Sequence, residues 1–89
     1  MTQQEKLKAL CKVLCEVTNE EDCMALLEDL CTNKEAENMA ERIYAAKLLL
    51  SGSTYAQVME NSNISSATLS RVSRCVQYGK GYKKLLKQD

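Results

Sequence analysis

The stretch from Thr54 to Arg74 constrains the fold of this chain most, because it predicts two short helices joined by a tight turn. Thr54 and Gln57 have the Ser/Thr-x-x-Glu/Gln spacing of a capping box, which begins a helix by pairing free backbone N–H groups. The helical pattern then stops, and Asn63 is expected to take the left-handed backbone conformation, which Asn tolerates better than most residues. We therefore predict a helix-turn-helix over residues 54–78.

The second helix of this unit has an apolar face and a polar face. Ser65 is placed to cap it, while Leu69 and Val72 recur at helical spacing and are expected to face inward. The hydroxyl and guanidinium side chains left outside are Ser66, Thr68, Ser70, Arg71 and Arg74. Such a face, without an acid, suits the base edges and phosphates of DNA. The alternative is a solvated helical hairpin that binds nothing.

The formal net charge of zero conceals an asymmetry between the two halves of the chain. Residues 1–50 contain six Lys/Arg and ten Asp/Glu, a net charge of −4. Residues 51–89 contain six Lys/Arg and two Asp/Glu, a net charge of +4. A basic half that coincides with the predicted helix-turn-helix favours a phosphate-binding surface. Chance clustering on solvated faces remains an alternative, since four lysines crowd the tail.

Capping signals predict further helices before this unit. Thr2 with Glu5 and Thr32 with Glu35 have capping-box spacing, and Asn19 precedes an acidic first turn. The third of these helices is expected to end near Ser51, with Gly52 as its stop. The sequence thus predicts an all-α fold, a single domain over residues 1–89.

The third predicted helix is apolar nearly all the way round, which requires cover on all sides. In a chain of 89 residues without Trp or Phe, a second subunit is the natural cover. We therefore expect residues 1–52 to supply dimerisation helices. The alternative is that Tyr44 and Leu49 pack under the first helix of the same chain.

Composition narrows the classes of function. Five cysteines without a Cys-x-x-Cys pair and without any histidine are expected to be small buried hydrophobes in a reducing cytoplasm, not a zinc or disulfide framework. Without histidine or a glycine-rich loop no general base or nucleophile assembles, so no enzyme is expected. No long apolar run or leader is present, so we expect no membrane span and no signal peptide.

From about Leu30 to Gln77 the chain resembles the Trp repressor family, and the segment S-R-V-S-R-C-V-Q-Y-G resembles its YerC/YecD-type relatives more closely still. This resemblance implies an all-helical, intertwined homodimer that places two recognition helices on a palindromic operator in double-stranded DNA. Carried over by position, the base-reading residues would be Ser66, Ala67, Thr68 and Ser70. The expected phosphate contacts are Thr54, Tyr55, Ser65, Arg71, Arg74, Lys80, Lys83 and Lys84.

The same resemblance points to an effector pocket. Arg42 and Arg71 occupy the places of two arginines that sandwich the indole ring of the corepressor tryptophan, and Thr32 matches a third contact. The glycine that makes room for the ring is Val72 here, and a pocket serine is Cys75. A valine in a space shaped for a flat ring disfavours tryptophan. A salt bridge for Arg42 and a phosphate contact for Arg71 are the favoured alternatives.

Together these features predict a cytoplasmic bacterial regulator that is nucleoid-associated when bound, binds specific DNA sequences as a homodimer and represses transcription. No metal or other cofactor is expected. The alternative is a helical protein–protein interaction module without specific DNA binding, in which the acidic first half binds a basic partner.

Overall fold

The computed structural model describes residues 1–86, which form α-helices and no β-strand. In chain order the helices are α1 (Gln3–Glu16), α2 (Glu20–Leu30), α3 (Asn33–Leu50), α4 (Tyr55–Asn61), α5 (Ser66–Tyr78) and α6 (Gly81–Leu85). The predicted all-α fold class is confirmed. The chain divides into two compact units, Met1–Asn33 and Lys34–Asp89.

The first unit contains α1 and α2, and each begins at the predicted cap. The Glu5 N–H donates to Thr2 Oγ1 at 3.1 Å, and the Thr2 N–H donates back to the Glu5 carboxylate at 2.9 Å. The Thr2 backbone bond, with help from the Thr2 side chain, lowers the pKa of the Glu5 carboxyl below its ordinary value. In α2 the Asn19 side chain accepts from the Asp22 N–H at 2.8 Å.

The apolar side chains of the first unit are largely exposed. No residue of α1 or α2 is buried, and Leu7 and Met24 are 58% and 61% exposed. The prediction that the cysteines are buried is therefore wrong for the single chain: Cys11 and Cys15 are exposed, and the other three are half-buried. Spacing along a helix does not show what covers a face, and Cys11 and Cys15 lie on a face that is uncovered in the described residues.

The second unit has its core where α3 meets α4 and α5. Its fully or almost fully buried side chains are Ala45, Ala46, Val58, Ile64, Leu69 and Val72. This confirms the inward positions predicted for the helix-turn-helix. Ala45 and Ala46 of α3 are buried in one close-packed cluster with Val58 of α4 and Leu69 of α5.

A glycine ends α3 as predicted. Gly52 has φ +102°, a left-handed conformation that favours glycine. The Ser53 N–H then donates to the Leu48 carbonyl at 3.0 Å, and the Gly52 N–H donates to the Leu49 carbonyl at 3.1 Å. This pair of bonds is a Schellman motif, and it directs the chain away from α3 towards α4.

Part of α3 remains uncovered in the single chain. Leu49 is half-buried against the core of its own unit. Ile43 and Tyr44 are 43% and 48% exposed, however, and Met39 is 37% exposed. The apolar surface that the sequence predicted on this helix is therefore present and open to a partner.

Gly79, which follows α5, and Gly81, which begins α6, provide a matched test of local packing. A Cβ added at Gly79 would lie 2.6 Å from the Cys75 carbonyl oxygen, whereas one added at Gly81 meets nothing within 4 Å. Since the Cys75 atom belongs to the backbone, we predict that Gly79→Ala lowers the free energy of unfolding by about 1–3 kcal/mol. Gly81→Ala should change it by less than about 0.5 kcal/mol. Urea unfolding followed by circular dichroism checks this, and equal effects would contradict it.

Candidate nucleic-acid interface

The capping box that begins α4 is confirmed. The Gln57 N–H donates to Thr54 Oγ1 at 3.2 Å, and the Thr54 N–H donates to Gln57 Oε1 at 2.8 Å. This fixes where the first helix of the pair begins. Val58, one residue after Gln57, is fully buried.

The turn between α4 and α5 differs from the expectation. Gly52 is the one residue with positive φ in the described chain, so the left-handed conformation predicted for Asn63 is wrong. Side chains close the end of α4 instead: the Ser62 hydroxyl donates to the Val58 carbonyl at 2.8 Å, and the Asn61 amide donates to the Gln57 carbonyl at 2.9 Å. Because these carbonyls are paired, the chain turns away without a left-handed residue.

The first turn of α5 is held by hydroxyl groups. Ser65 caps the helix, since the Thr68 N–H donates to Ser65 Oγ at 3.2 Å. The Ser65 hydroxyl in turn donates to Thr68 Oγ1 at 2.9 Å. The Tyr55 hydroxyl, at the start of α4, donates to the Ser66 carbonyl at 2.7 Å. The start of α5 is thus tied both to its own cap and to the neighbouring helix.

Half of the predicted DNA-contacting residues lie on α5, most of them on its exposed face. Ser66, Ser70 and Arg74 follow one another at intervals of four residues and are all exposed. Ala67 and Arg71 are exposed as well, whereas Thr68 is half-buried. Within the described residues, Glu60 is the sole acid after residue 50. The structure therefore brings the four predicted base-reading side chains and two arginines together at one helix.

The basic side chains of the tail follow α5 closely. Lys80 and Lys84 are exposed, as the predicted phosphate contacts would require. Lys83 is also exposed, but its ammonium group donates to the Gln77 carbonyl in the last turn of α5, at 2.6 Å. A cation at this end of a helix interacts favourably with the unpaired carbonyls. Lys83 therefore has a structural role in addition to any contact with phosphate.

A cavity of about 520 Å³ lies where the resemblance placed the effector pocket. Arg42, Arg71, Val72 and Cys75 all line it. Val72 is only 2% exposed, so it forms part of the wall and packs mainly into the core. Thr32 belongs to the first unit, so its contribution to the pocket stays a prediction.

Sequence reasoning missed the contribution of α6 to this cavity. Tyr82, Leu85 and Leu86 also line it. Their spacing of three and four residues is that of an apolar helix face, and this signal could have identified them.

Arg42 borders a second cavity as well. This cavity, of about 630 Å³, is also lined by Glu37, Glu41, Ser65 and Thr68. Arg42 therefore lies between the candidate effector pocket and the first turn of α5.

Other kinds of site find little support in the described residues. No group of three or more Cys, Asp or Glu side chains within residues 1–86 could hold a metal ion. Across the same residues, no helix is long and apolar enough to span a membrane.

Comparison with known proteins agrees with this geometry. Residues 5–89 match the family described as Trp repressor protein. The chain belongs to the Trp repressor family. A crystal structure from Staphylococcus aureus, provisionally named a Trp repressor, superposes with a TM-score of 0.85 at 35% identity. The match covers 97% of this chain and 92% of that one, so it extends over nearly the whole family fold.

A relative in sequence is the uncharacterized protein YerC of Bacillus subtilis (strain 168). The two are 41% identical over 59 residues, which is 66% of this chain. The match spans 57% of the length of YerC.

We predict that tryptophan binds this member of the family only weakly. The described lining of the 520 Å³ cavity includes two guanidinium groups and no carboxylate, so the ammonium group of an amino acid meets no opposite charge. Val72 at the position of the family glycine adds an overpacking cost of about 1–3 kcal/mol. That corresponds to a loss of roughly tenfold to more than a hundredfold in affinity.

Calorimetry with tryptophan, on the wild type and on Val72→Gly, checks this prediction. The variant is measured at a temperature where circular dichroism shows it folded, because Val72 is a core residue. Tighter binding by the variant than by the wild type is expected. Tight binding by the wild type would contradict the role given to Val72.

Proposed function

We propose that this protein is a homodimeric regulator that binds specific sequences in double-stranded DNA with the outer face of α5. The observation that carries the proposal is the exposed row of hydroxyls and arginines on α5, in a half of the chain with net charge +4. Hydrogen-bonding side chains of this kind recognise base edges, and cations at the margin neutralise phosphates. Membership of the Trp repressor family supports the same function. Repression by occlusion of a promoter is the expected outcome.

The side chains divide into two roles in this proposal. Those at the start of α5 contact bases: Ser66, Ala67, Thr68 and Ser70. Arg71, Arg74, Lys80 and Lys84 surround them and contact phosphate. Because a phosphate contact carries no sequence information, the two groups have different effects when mutated.

A second copy of the chain is the proposed cover for the exposed apolar faces. Side chains of α1 such as Leu7 and Leu14 are exposed, and so is Tyr44 of α3. A chain of 89 residues has a small core, and leaving these faces in water would sacrifice much of its hydrophobic stabilisation. Dimerisation would also provide two α5 helices for the two halves of a palindrome.

We predict that the chain is folded only as a dimer, so that dissociation and unfolding occur together. Sedimentation velocity combined with circular dichroism, from nanomolar to high micromolar protein, should show loss of the dimer and loss of helix together. Introducing a charge on an exposed apolar face, as in Leu14→Glu, should shift both transitions to higher concentration. A stable, fully helical monomer at micromolar concentration would contradict the proposal.

DNA binding is expected to depend strongly on salt. With about six to eight phosphate contacts per dimer, the slope of log K against log salt should be on the order of −5 to −7, at roughly −0.9 per contact. Selection of bound fragments from random DNA should recover a palindrome, and binding to it is measured from low to moderate salt. A failure to select any sequence would defeat the proposed function.

Two substitutions separate base contacts from phosphate contacts. Thr68→Ala should change the preference at one base position, by about 1–3 kcal/mol. Lys84→Ala should weaken binding to all sequences alike and make the salt slope less steep by about one unit per lost contact. Lys84 is chosen over Lys83 because the latter also closes α5. Identical effects from the two variants would contradict this division of roles.

A protein-interaction module is the second candidate. The first unit, residues 1–33, has three Lys and seven Asp/Glu and exposes apolar side chains on both of its helices. In this case the first unit would bind a basic protein partner, and α4 and α5 would have only a structural role. Thr68→Ala and Arg71→Ala would then leave binding of that partner intact. The same variants would impair DNA recognition under the leading proposal.

A further inference from the structure

The hydroxyl of Tyr55 is placed differently from a phosphate contact. Tyr55 is the first residue of α4, its side chain is 41% exposed, and its hydroxyl lies 2.7 Å from the carbonyl oxygen of Ser66. Ser66 is the first residue of α5, eleven positions further along the chain. The bond therefore joins the beginnings of the two helices of the helix-turn-helix.

The chemistry of this bond determines which group supplies the proton. A carbonyl oxygen can only accept, so the single hydroxyl proton of Tyr55 is donated to Ser66. A phosphate diester oxygen at neutral pH is likewise an acceptor. Tyr55 therefore has no proton to offer a phosphate unless it gives up its bond to α5.

The bond acts on the part of α5 that carries proposed base contacts. Ser66 is a proposed base contact, and its carbonyl is also the acceptor that a regular helix pairs with the N–H of Ser70, a second proposed base contact. A side chain that recognises a base must be held within about 0.5 Å of its productive position. Anchoring the Ser66 carbonyl from α4 constrains the backbone from which both side chains project.

We propose that Tyr55 is a positioning residue that sets the first turn of α5 for base recognition, and is not a phosphate ligand. This inference rests on the proposed DNA-binding function. It replaces one expected phosphate contact with a specificity-determining hydrogen bond inside the protein. The Ser65 hydroxyl, which donates to Thr68 within the same turn, completes the fixed geometry of this end of the helix.

The substitution Tyr55→Phe tests the proposal, because it removes the hydroxyl and keeps the ring. The buried contacts of Val58, Ile64 and Leu69 do not involve the hydroxyl, so the variant should fold. Tyr78→Phe is the matched control, since Tyr78 is 81% exposed at the far end of α5.

The first measurement needs no DNA. In the free protein, hydrogen exchange observed by NMR should show the amides of Leu69 and Ser70 exchanging about three- to tenfold faster in Tyr55→Phe than in the wild type. Tyr78→Phe should leave these amides unchanged. Unchanged exchange in Tyr55→Phe would overturn the proposal, whatever the DNA experiments give.

The second measurement compares the selected palindrome with a scrambled duplex. Tyr55→Phe should lose about three- to tenfold in affinity for the palindrome and less than about twofold for the scrambled duplex. The ratio of the two affinities therefore falls, while Tyr78→Phe preserves it. An equal loss on both duplexes would identify a phosphate contact and overturn the proposal, as would no loss on either.

These outcomes separate the inference from the function on which it rests. If the wild type selects no DNA sequence, the proposed function fails. If the wild type selects a sequence and Tyr55→Phe keeps the same ratio of affinities, only the role given to Tyr55 fails.

Discussion

The packing of the helix-turn-helix on Ala45 and Ala46 is the contact on which the rest of the second unit depends. Both alanines are completely buried in one cluster with Val58 and Leu69, and such a cluster is close-packed. Once Leu69 and Val72 point into this core, helical geometry turns Ser66, Ser70 and Arg74 to the opposite side of α5. The candidate DNA-binding face is thus a direct consequence of the core, and a bulkier side chain at either alanine would disturb both.

Features that depend on near neighbours in the chain could be predicted from the sequence. The capping boxes at Thr2 and Thr54 and the stop at Gly52 are confirmed because each involves residues only a few positions apart. The left-handed conformation expected for Asn63 failed although it is local, because hydroxyl and amide groups of the preceding residues close α4 in its place. The carbonyl groups at the end of α4 could be paired after a left-handed turn residue or by side chains, and the sequence pattern did not distinguish these two arrangements.

Features that depend on how helices meet could not be predicted. The bond from Tyr55 to Ser66 spans eleven positions, and no spacing pattern connects these two residues. The helical spacing of Leu85 with Tyr82 could be read from the sequence, but the cavity near Arg71 that they line depends on how α6 packs. Exposure of Cys11 was missed for a related reason, since spacing identifies an apolar face but not what covers it. The site positions carried over from the family resemblance stay predictions: all four base-reading candidates lie on α5, and Arg42 and Arg71 line one cavity.

We propose above all that DNA binds at the outer face of α5. Titrating a palindromic duplex into the isotopically labelled protein and following the backbone amides by NMR tests it directly. We expect the largest chemical-shift changes in residues 65–74, with smaller changes at residues 80–84 and little change in α1 and α2. Changes concentrated in α1 and α2, with those of residues 65–74 absent, would contradict it.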